Sequence, residues 1–260
     1  MNDEKKLFLL IFLVTILFLV NYNLIDGAIE KFLNDDEFVF VERIIDGDTI
    51  KANNISIRLL GINSPERGEE YYDEAKEFLK KEISNEIVKL EFGKDKKDRY
   101  GRTLAYIFFN RKNINLELVE EGFANYYFPS GKDAYYKKFN DAWLNCLEEN
   151  KNLCEKSEDI CSKCVELKAW DFKNQEIVFY NKCDFSCDLT KWEIKDEGRK
   201  KFIFPEFALK SGEEVKVIVG NETNTENALF WKKKDYVWTK TGDSLFLRDS
   251  KGKLVLWKSY

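Results

Sequence analysis

No histidine occurs anywhere in the 260 residues. That absence excludes Ser-His-Asp and Cys-His triads, histidine-ligated zinc hydrolases and nucleases with a histidine base. Acid–base chemistry in this chain falls to carboxylates, Lys, Tyr or Cys. Only three prolines are present, which excludes proline-rich linkers and collagen-like repeats. Nor is there an excess of positive charge. The 42 Lys and Arg face 47 Asp and Glu, so the net charge of −5 leaves no footprint for bulk nucleic-acid binding. What remains is 44% hydrophobic and 34% charged, a globular composition for one or two domains.

One long apolar run stands at the start. Leu7 to Val20 carries no charge and follows Lys5 and Lys6. Its length suits a signal-peptide core and is short for a spanning helix, although Leu24 and Ile25 extend its reach. No good small-x-small cleavage site lies near Val20. Residues 1–29 are therefore read as a membrane anchor, with a cleaved signal peptide as the alternative. Both place the rest of the chain on the extracellular side, membrane-anchored or secreted. The six cysteines, Cys146, Cys154, Cys161, Cys164, Cys183 and Cys187, fit an oxidising compartment and disulfides. Zinc held by the first four is the rival, weakened by having one tight C-x2-C pair. Cys183 and Cys187 are close enough to close a small loop by themselves.

Residues 36–150 read as one unit. Strand patterns cover 38–45, 49–52, 55–60, 87–92 and 103–109, with Asp46-Gly47 as a hairpin turn. Helical periodicity covers Tyr71–Ile83, Ile114–Ala124 and Ala134–Glu149. Five strands and three helices predict a five-stranded OB-type barrel. Residues 151–164 are polar and Cys-dense, and read as a linker. From Val165 to Tyr260, short apolar stretches alternate with turn residues, which predicts an all-β sandwich.

Three groups in the first unit carry chemistry: Asp46-Gly47-Asp48-Thr49, then Arg58-Leu59-Leu60-Gly61-Ile62-Asn63-Ser64-Pro65-Glu66, then Asp98-Arg99-Tyr100-Gly101-Arg102. Singly, each reads as an ordinary turn or helix start. Together, in this order, they resemble the staphylococcal nuclease (thermonuclease) family. The resemblance implies Ca²⁺-dependent hydrolysis of DNA, with RNA as a further substrate, leaving 3′-phosphate ends. It implies Asp48, Asn63 and the Ser64 carbonyl as metal ligands, with Asp46 behind them. It makes Glu66 the general base and Arg58 and Arg102 the phosphate-gripping pair. Tyr126 and Tyr127 correspond to substrate-contacting tyrosines, with a core role as the alternative. One position departs from the family: Asn63 stands where Asp is usual, which removes one negative charge and predicts weaker Ca²⁺ binding. The same departure keeps open a catalytically weak or inactive nucleic-acid-binding or scaffold protein. Lys94, Lys96, Lys97 and Arg99 form a local basic cluster beside Arg102.

The second unit resembles the lamin tail domain, an immunoglobulin-like β-sandwich. The resemblance rests on Asp188-Leu189-Thr190-Lys191-Trp192 through Asp196, on Phe202-Ile203-Phe204-Pro205, on Leu209–Glu213, and on Gly242-Asp243 with Leu247-Arg248-Asp249. It implies attachment or interaction, with an envelope component as the expected partner; a catalytic role is not implied.

Overall fold

The computed structural model describes Leu7, Ile11, Phe12, Thr15, residues 37–232 and residues 236–260. The expected anchor or signal at residues 1–29 lies outside the described residues apart from those four. Among the described residues no helix is long and apolar enough to cross a membrane. Residues Val39–Tyr260 form one compact unit.

Its first half is a closed barrel. The elements run β1 (Glu37–Asp46), β2 (Thr49–Ala52), β3 (Ile55–Leu59), β4 (Ile62–Asn63), α1 (Tyr72–Ile83), β5 (Ile87–Lys97), β6 (Thr103–Phe109), β7 (Lys112–Asn113), α2 (Ile114–Glu120), β8 (Asn125–Tyr126) and α3 (Tyr136–Glu149). The sheet order β3-β2-β1-β5-β6 closes on itself where β3 pairs parallel with β6. Alternating residues fill the interior, among them Val39, Val41, Ile50, Ile57, Leu59, Val88, Leu90, Ala105 and Ile107. Helix α1 buries Ala75, Leu79 and Ile83, the stripe that spacing of four predicts. Helix α2 begins where the Asn113 side chain accepts from the Leu116 N–H. It stops at Glu120, short of the predicted Ala124, because Gly122 turns the chain at φ +69°. A Cβ at Gly122 would lie 2.5 Å from the Lys151 carbonyl and 2.9 Å from Cys146 Sγ, so only glycine fits there.

The Cys-dense segment is built structure. It forms two short 3-10 turns, Asn152–Cys154 and Ile160–Lys163. The Leu254 N–H donates to the Glu155 carbonyl and the Ser157 N–H to the Leu254 carbonyl, so the segment lies along the second half. All six cysteines pair: Cys146–Cys154, Cys161–Cys187 and Cys164–Cys183. The local loop expected from Cys183 and Cys187 is therefore corrected. Each instead reaches back to the Ile160–Cys164 turn and staples it to the sandwich.

The second half packs two four-stranded sheets. Its strands are β9 (Val165–Asp171), β10 (Glu176–Asn181), β11 (Cys187–Asp188), β12 (Glu193–Lys195), β13 (Lys201–Ile203), β14 (Ala208–Leu209), β15 (Glu214–Val219), β16 (Ala228–Trp231), β17 (Ser244–Arg248) and β18 (Leu254–Ser259). One sheet runs β16-β15-β10-β9 and the other β13-β12-β17-β18. Strand β17 is buried at all five positions. Leu245 and Leu247 enter the sandwich core, while Phe246 belongs to the core of the barrel half. A strand covered on both faces loses the apolar–polar alternation of a half-exposed one. Phe246 meets Trp143 of α3 edge-on with ring centroids 5.5 Å apart, and Leu254 and Trp257 join the same cluster. Phe246, Leu254 and Trp257 thus plug the second half into the core of the first.

Candidate functional site

The turn between β1 and β2 brings two carboxylates together. The Asp48 N–H donates to Asp46 Oδ1 at 3.2 Å. Gly47 between them permits this approach: a Cβ there would lie 2.8 Å from the Cβ atoms of both Ser64 and Ala75. Burial, and then the neighbouring Asp48 carboxylate, pushes Asp46 above the usual carboxylate range.

Asp48 is the hub. It is buried, accepts from Thr49 Oγ1 at 2.9 Å and from the Ser64 N–H at 3.3 Å, and pairs with Arg58 Nη2 at 3.0 Å. Arg58 sits one residue from the end of β3, opposite Thr49 of β2 and Leu104 of β6, at the seam that closes the barrel. Its guanidinium also donates to the Leu59 and Ile62 carbonyls, so the fork is fixed in direction. Burial pushes Arg58 downward and Asp48 opposes that shift. Arg102 comes from the loop before β6. Its Nε pairs with Asp98 Oδ2 at 2.7 Å, and Nη1 donates to Thr49 Oγ1 at 3.4 Å. Asp46, Asp48, Arg58, Ser64 and Arg102 are thus joined through contacts on or beside Asp48.

Asn63 and Ser64 close the far side, at the end of β4. Asn63 is buried, and its Oδ1 has no hydrogen-bond partner. The Asp46 and Asp48 carboxylates and the orphaned Asn63 amide oxygen are a set of hard oxygen donors. That set fits Ca²⁺ or Mg²⁺ and not a soft metal. A cation that reached the Asn63 oxygen would satisfy it, and its charge would favour the ionised form of the Asp46 carboxyl.

Glu66 follows two residues later, and here the second half of the chain enters. The β12–β13 connection, residues 196–200, lies against the site. Asn63 Nδ2 donates to the Gly198 carbonyl at 2.8 Å, and Asn125 Nδ2 donates to the Glu197 carbonyl at 2.8 Å. Arg199 Nε pairs with Glu66 Oε1 at 2.6 Å. The Glu66 N–H donates to Glu69 Oε2, and Lys201 and Lys195 pair with Glu69 at 2.8 and 3.5 Å. Burial alone would raise Glu69, but Lys195 and the hydrogen bond from Lys201 outweigh it and hold the carboxyl at about 2. Behind the hairpin, Asp196, Glu197 and Asp243 crowd together. Burial first, and Asp243 second, push Asp196 to about 6 and Glu197 to about 8.

Tyr126 lies apart from this cluster. It is buried, meets Trp257 edge-on, and its hydroxyl is 3.0 Å from Ser244 Oγ. Tyr127 lies nearer: burial raises it, the Asp196 and Glu197 charges add to that, and Arg58 opposes. Arg199, Glu69, Lys195, Lys201 and Asn125 were missed by sequence reasoning. The Glu197-Gly198-Arg199-Lys200 stretch signals a turn, but nothing local in it signals what the turn faces.

Comparison with known proteins covers both halves of the chain. The family model described as Staphylococcal nuclease homologue matches residues 56–156, and the Lamin Tail Domain model matches residues 163–260. A thermonuclease of Staphylococcus intermedius is 33% identical over 143 residues, covering 50% of this chain and 85% of that protein. A thermonuclease of Staphylococcus hyicus is 34% identical over 123 residues, covering 44% of this chain and 73% of that protein. An uncharacterized endonuclease of Haemophilus influenzae is 37% identical over 101 residues, covering 37% and 56% respectively.

Proposed function

This chain belongs to the staphylococcal nuclease family, with a lamin tail domain behind the catalytic barrel, and from that premise we propose a Ca²⁺-supported nuclease that cleaves DNA and accepts RNA. The observation that carries the reading is the convergence of Arg58, Thr49 and the Ser64 N–H on one buried carboxylate, Asp48, with Arg102 linked through Thr49.

Asp48, Asn63 and the Ser64 carbonyl would hold the cation, with Asp46 supporting them. When bound, the cation supplies positive charge beside the scissile phosphate and polarises it. Arg58 and Arg102 bind the phosphoryl oxygens and stabilise the charge that builds there. Glu66 accepts the proton of the attacking water. The water oxygen bonds to phosphorus, the bond from phosphorus to the 5′ oxygen breaks, and that oxygen takes a proton from solvent. The products are a 3′-phosphate and a 5′-hydroxyl. Tyr127, beside Arg58, contributes to substrate contact.

Export is part of the proposal. Three disulfides and the apolar run Leu7–Val20 support an extracellular site of action, anchored or secreted. Attachment to an envelope component is assigned to the sandwich surface away from the barrel.

A second reading is a weak or inactive nucleic-acid-binding protein. It is favoured by Glu66 being held by Arg199. The test is cleavage of single- and double-stranded DNA by the full chain, with Ca²⁺ titrated against EGTA and the end groups determined. Ca²⁺-dependent cleavage with 3′-phosphate ends, lost about 10²–10³-fold in Arg102→Ala, is expected. Binding without cleavage at millimolar Ca²⁺ would establish the second reading.

A further inference from the structure

The lamin tail domain places a third arginine at the nuclease site. Each of the three guanidiniums there has a resident carboxylate, and the three pairs differ in exposure. Side-chain exposures are 9% and 2% for Arg58–Asp48, 25% and 16% for Arg102–Asp98, and 50% and 46% for Arg199–Glu66. Half-exposed pairs are worth little, because water and salt screen them. Arg199 is therefore the cation that exchanges its partner most readily. Its carboxylate partner is Glu66, and the residue before it accepts from Asn63, so the side chain stands at the edge of the same site.

The backbone that carries Arg199 is held in place, while its side chain is half-exposed and paired with Glu66. Asn63 and Asn125 of the barrel hold the carbonyls of Gly198 and Glu197, the two residues before it. Asp196 Oδ1 accepts from the Lys200 N–H and closes the hairpin from within. The shared core of Trp143, Phe246, Leu254 and Trp257 anchors the domain behind it. A hairpin held this way does not swing clear like a lid. It is a standing wall of the site, and only the arginine side chain needs to move.

We propose that Arg199 is a third phosphate-binding residue of the nuclease, supplied by the lamin tail domain, which exchanges Glu66 for a phosphate oxygen of the bound strand and so frees the base. The proposal rests on the nuclease reading. It adds a more exposed cation to a site whose own guanidiniums, Arg58 and Arg102, are held by Asp48 and Asp98. A guanidinium presents two parallel donors to a phosphate, which an ammonium cannot copy.

The test uses the full chain and its Arg199→Ala and Arg199→Lys variants. Lys168→Ala, on the far sheet, controls for loss of one surface charge. Affinity for a single-stranded oligonucleotide is measured in EGTA as a function of salt, and KM and kcat are measured with Ca²⁺. In Arg199→Ala, affinity is expected to fall about tenfold, the lower range for a charge-assisted contact. The salt slope should shrink by about 0.7, the value for one phosphate contact on a single strand. KM should rise more than kcat falls, with Arg199→Lys intermediate and Lys168→Ala unchanged. Unchanged affinity and slope in Arg199→Ala would overturn the proposal. So would faster cleavage, which would make Arg199 a block on Glu66. A wild type that binds DNA through Arg199 but never cleaves would sink the nuclease reading and leave the phosphate contact standing.

Discussion

Asn63 donates its amide N–H to the carbonyl of Gly198, 135 positions further along the chain, across 2.8 Å. This one bond joins a candidate metal ligand to the hairpin of the second domain. It also gives a physical reason for an amide rather than a carboxylate at position 63. A carboxylate has no proton to donate, so an Asp at 63 would set two acceptors against each other. The amide gives up a negative charge and gains a domain contact.

The Asn63→Asp variant should therefore change two properties in opposite directions. Ca²⁺ affinity should rise, because the ligand set gains a charge. Stability without Ca²⁺ should fall by about 1–3 kcal/mol, the cost of a buried carbonyl losing its donor. Calcium titration and thermal melting of the same sample check both. Unchanged affinity would remove Asn63 from the ligand set.

The acidic cluster under the hairpin sets a pH dependence. Asp196 and Glu197 titrate at about 6 and about 8, above their ordinary values of 3.8 and 4.5. A carboxyl raised in the folded state favours folding at low pH. Its contribution is intact below the unfolded value and is lost as pH climbs through the folded one. Stability should decline between about pH 4.5 and 8, and Glu197→Gln should flatten that decline. Glu69 acts in the opposite sense. Held at about 2, it stabilises above pH 4.5 and loses that contribution as the pH falls toward 2. Melts across pH for wild type, Glu197→Gln and Glu69→Gln separate the two limbs.

Because Phe246, Leu254 and Trp257 of the second half are packed into the core of the first, unfolding should not resolve into two steps. Trp143 is fully buried between Phe246 and Trp257. Trp143→Ala should cost about 3–5 kcal/mol and move a single transition of residues 39–260 to lower temperature. Two separated transitions in wild type, with only the earlier one shifted in the variant, would contradict the shared core.

Reduction should act on the second half and the segment before it. Cys161–Cys187 and Cys164–Cys183 tie the Ile160–Cys164 turn to the sandwich, and Cys146–Cys154 ties α3 to the segment after it. Full reduction should cost several kcal/mol, since about 2–4 kcal/mol per bridge is typical. Denaturant melts with and without reductant measure it. An unshifted midpoint would mean that the bridges brace nothing.

Much of the barrel was legible because each of its elements announces itself locally. Period-two apolar residues mark 55–59, the Asp46-Gly47 turn marks the hairpin, and four-residue spacing marks α1. Asp48, Arg58 and Arg102 could be read because they lie in short motifs at turns and strand ends. Arg199 and Glu69 could not be read. Their meaning depends on two domains docking, and no residue within ten positions of Arg199 carries that information. The docking face itself was hidden in β17, where Ser244-Leu245-Phe246-Leu247-Arg248 reads as an ordinary buried strand. Its two-sided burial appears only once both neighbours are in place. The disulfide pairing was illegible for the same reason, since sequence proximity suggested Cys183 with Cys187 while the folded chain carries both to the Ile160–Cys164 turn.

The most direct measurement is the single-turnover cleavage rate of a fluorogenic single-stranded DNA at saturating Ca²⁺, for wild type and Glu66→Gln. Glutamine keeps the shape of the side chain and cannot accept the proton. A positioned general base contributes about 10²–10⁴-fold, so the account predicts a loss of that size with oligonucleotide affinity retained. A Glu66→Gln protein that cleaves as fast as wild type would contradict the assignment of the base, and with it the site built around Asp48, Arg58 and Arg102.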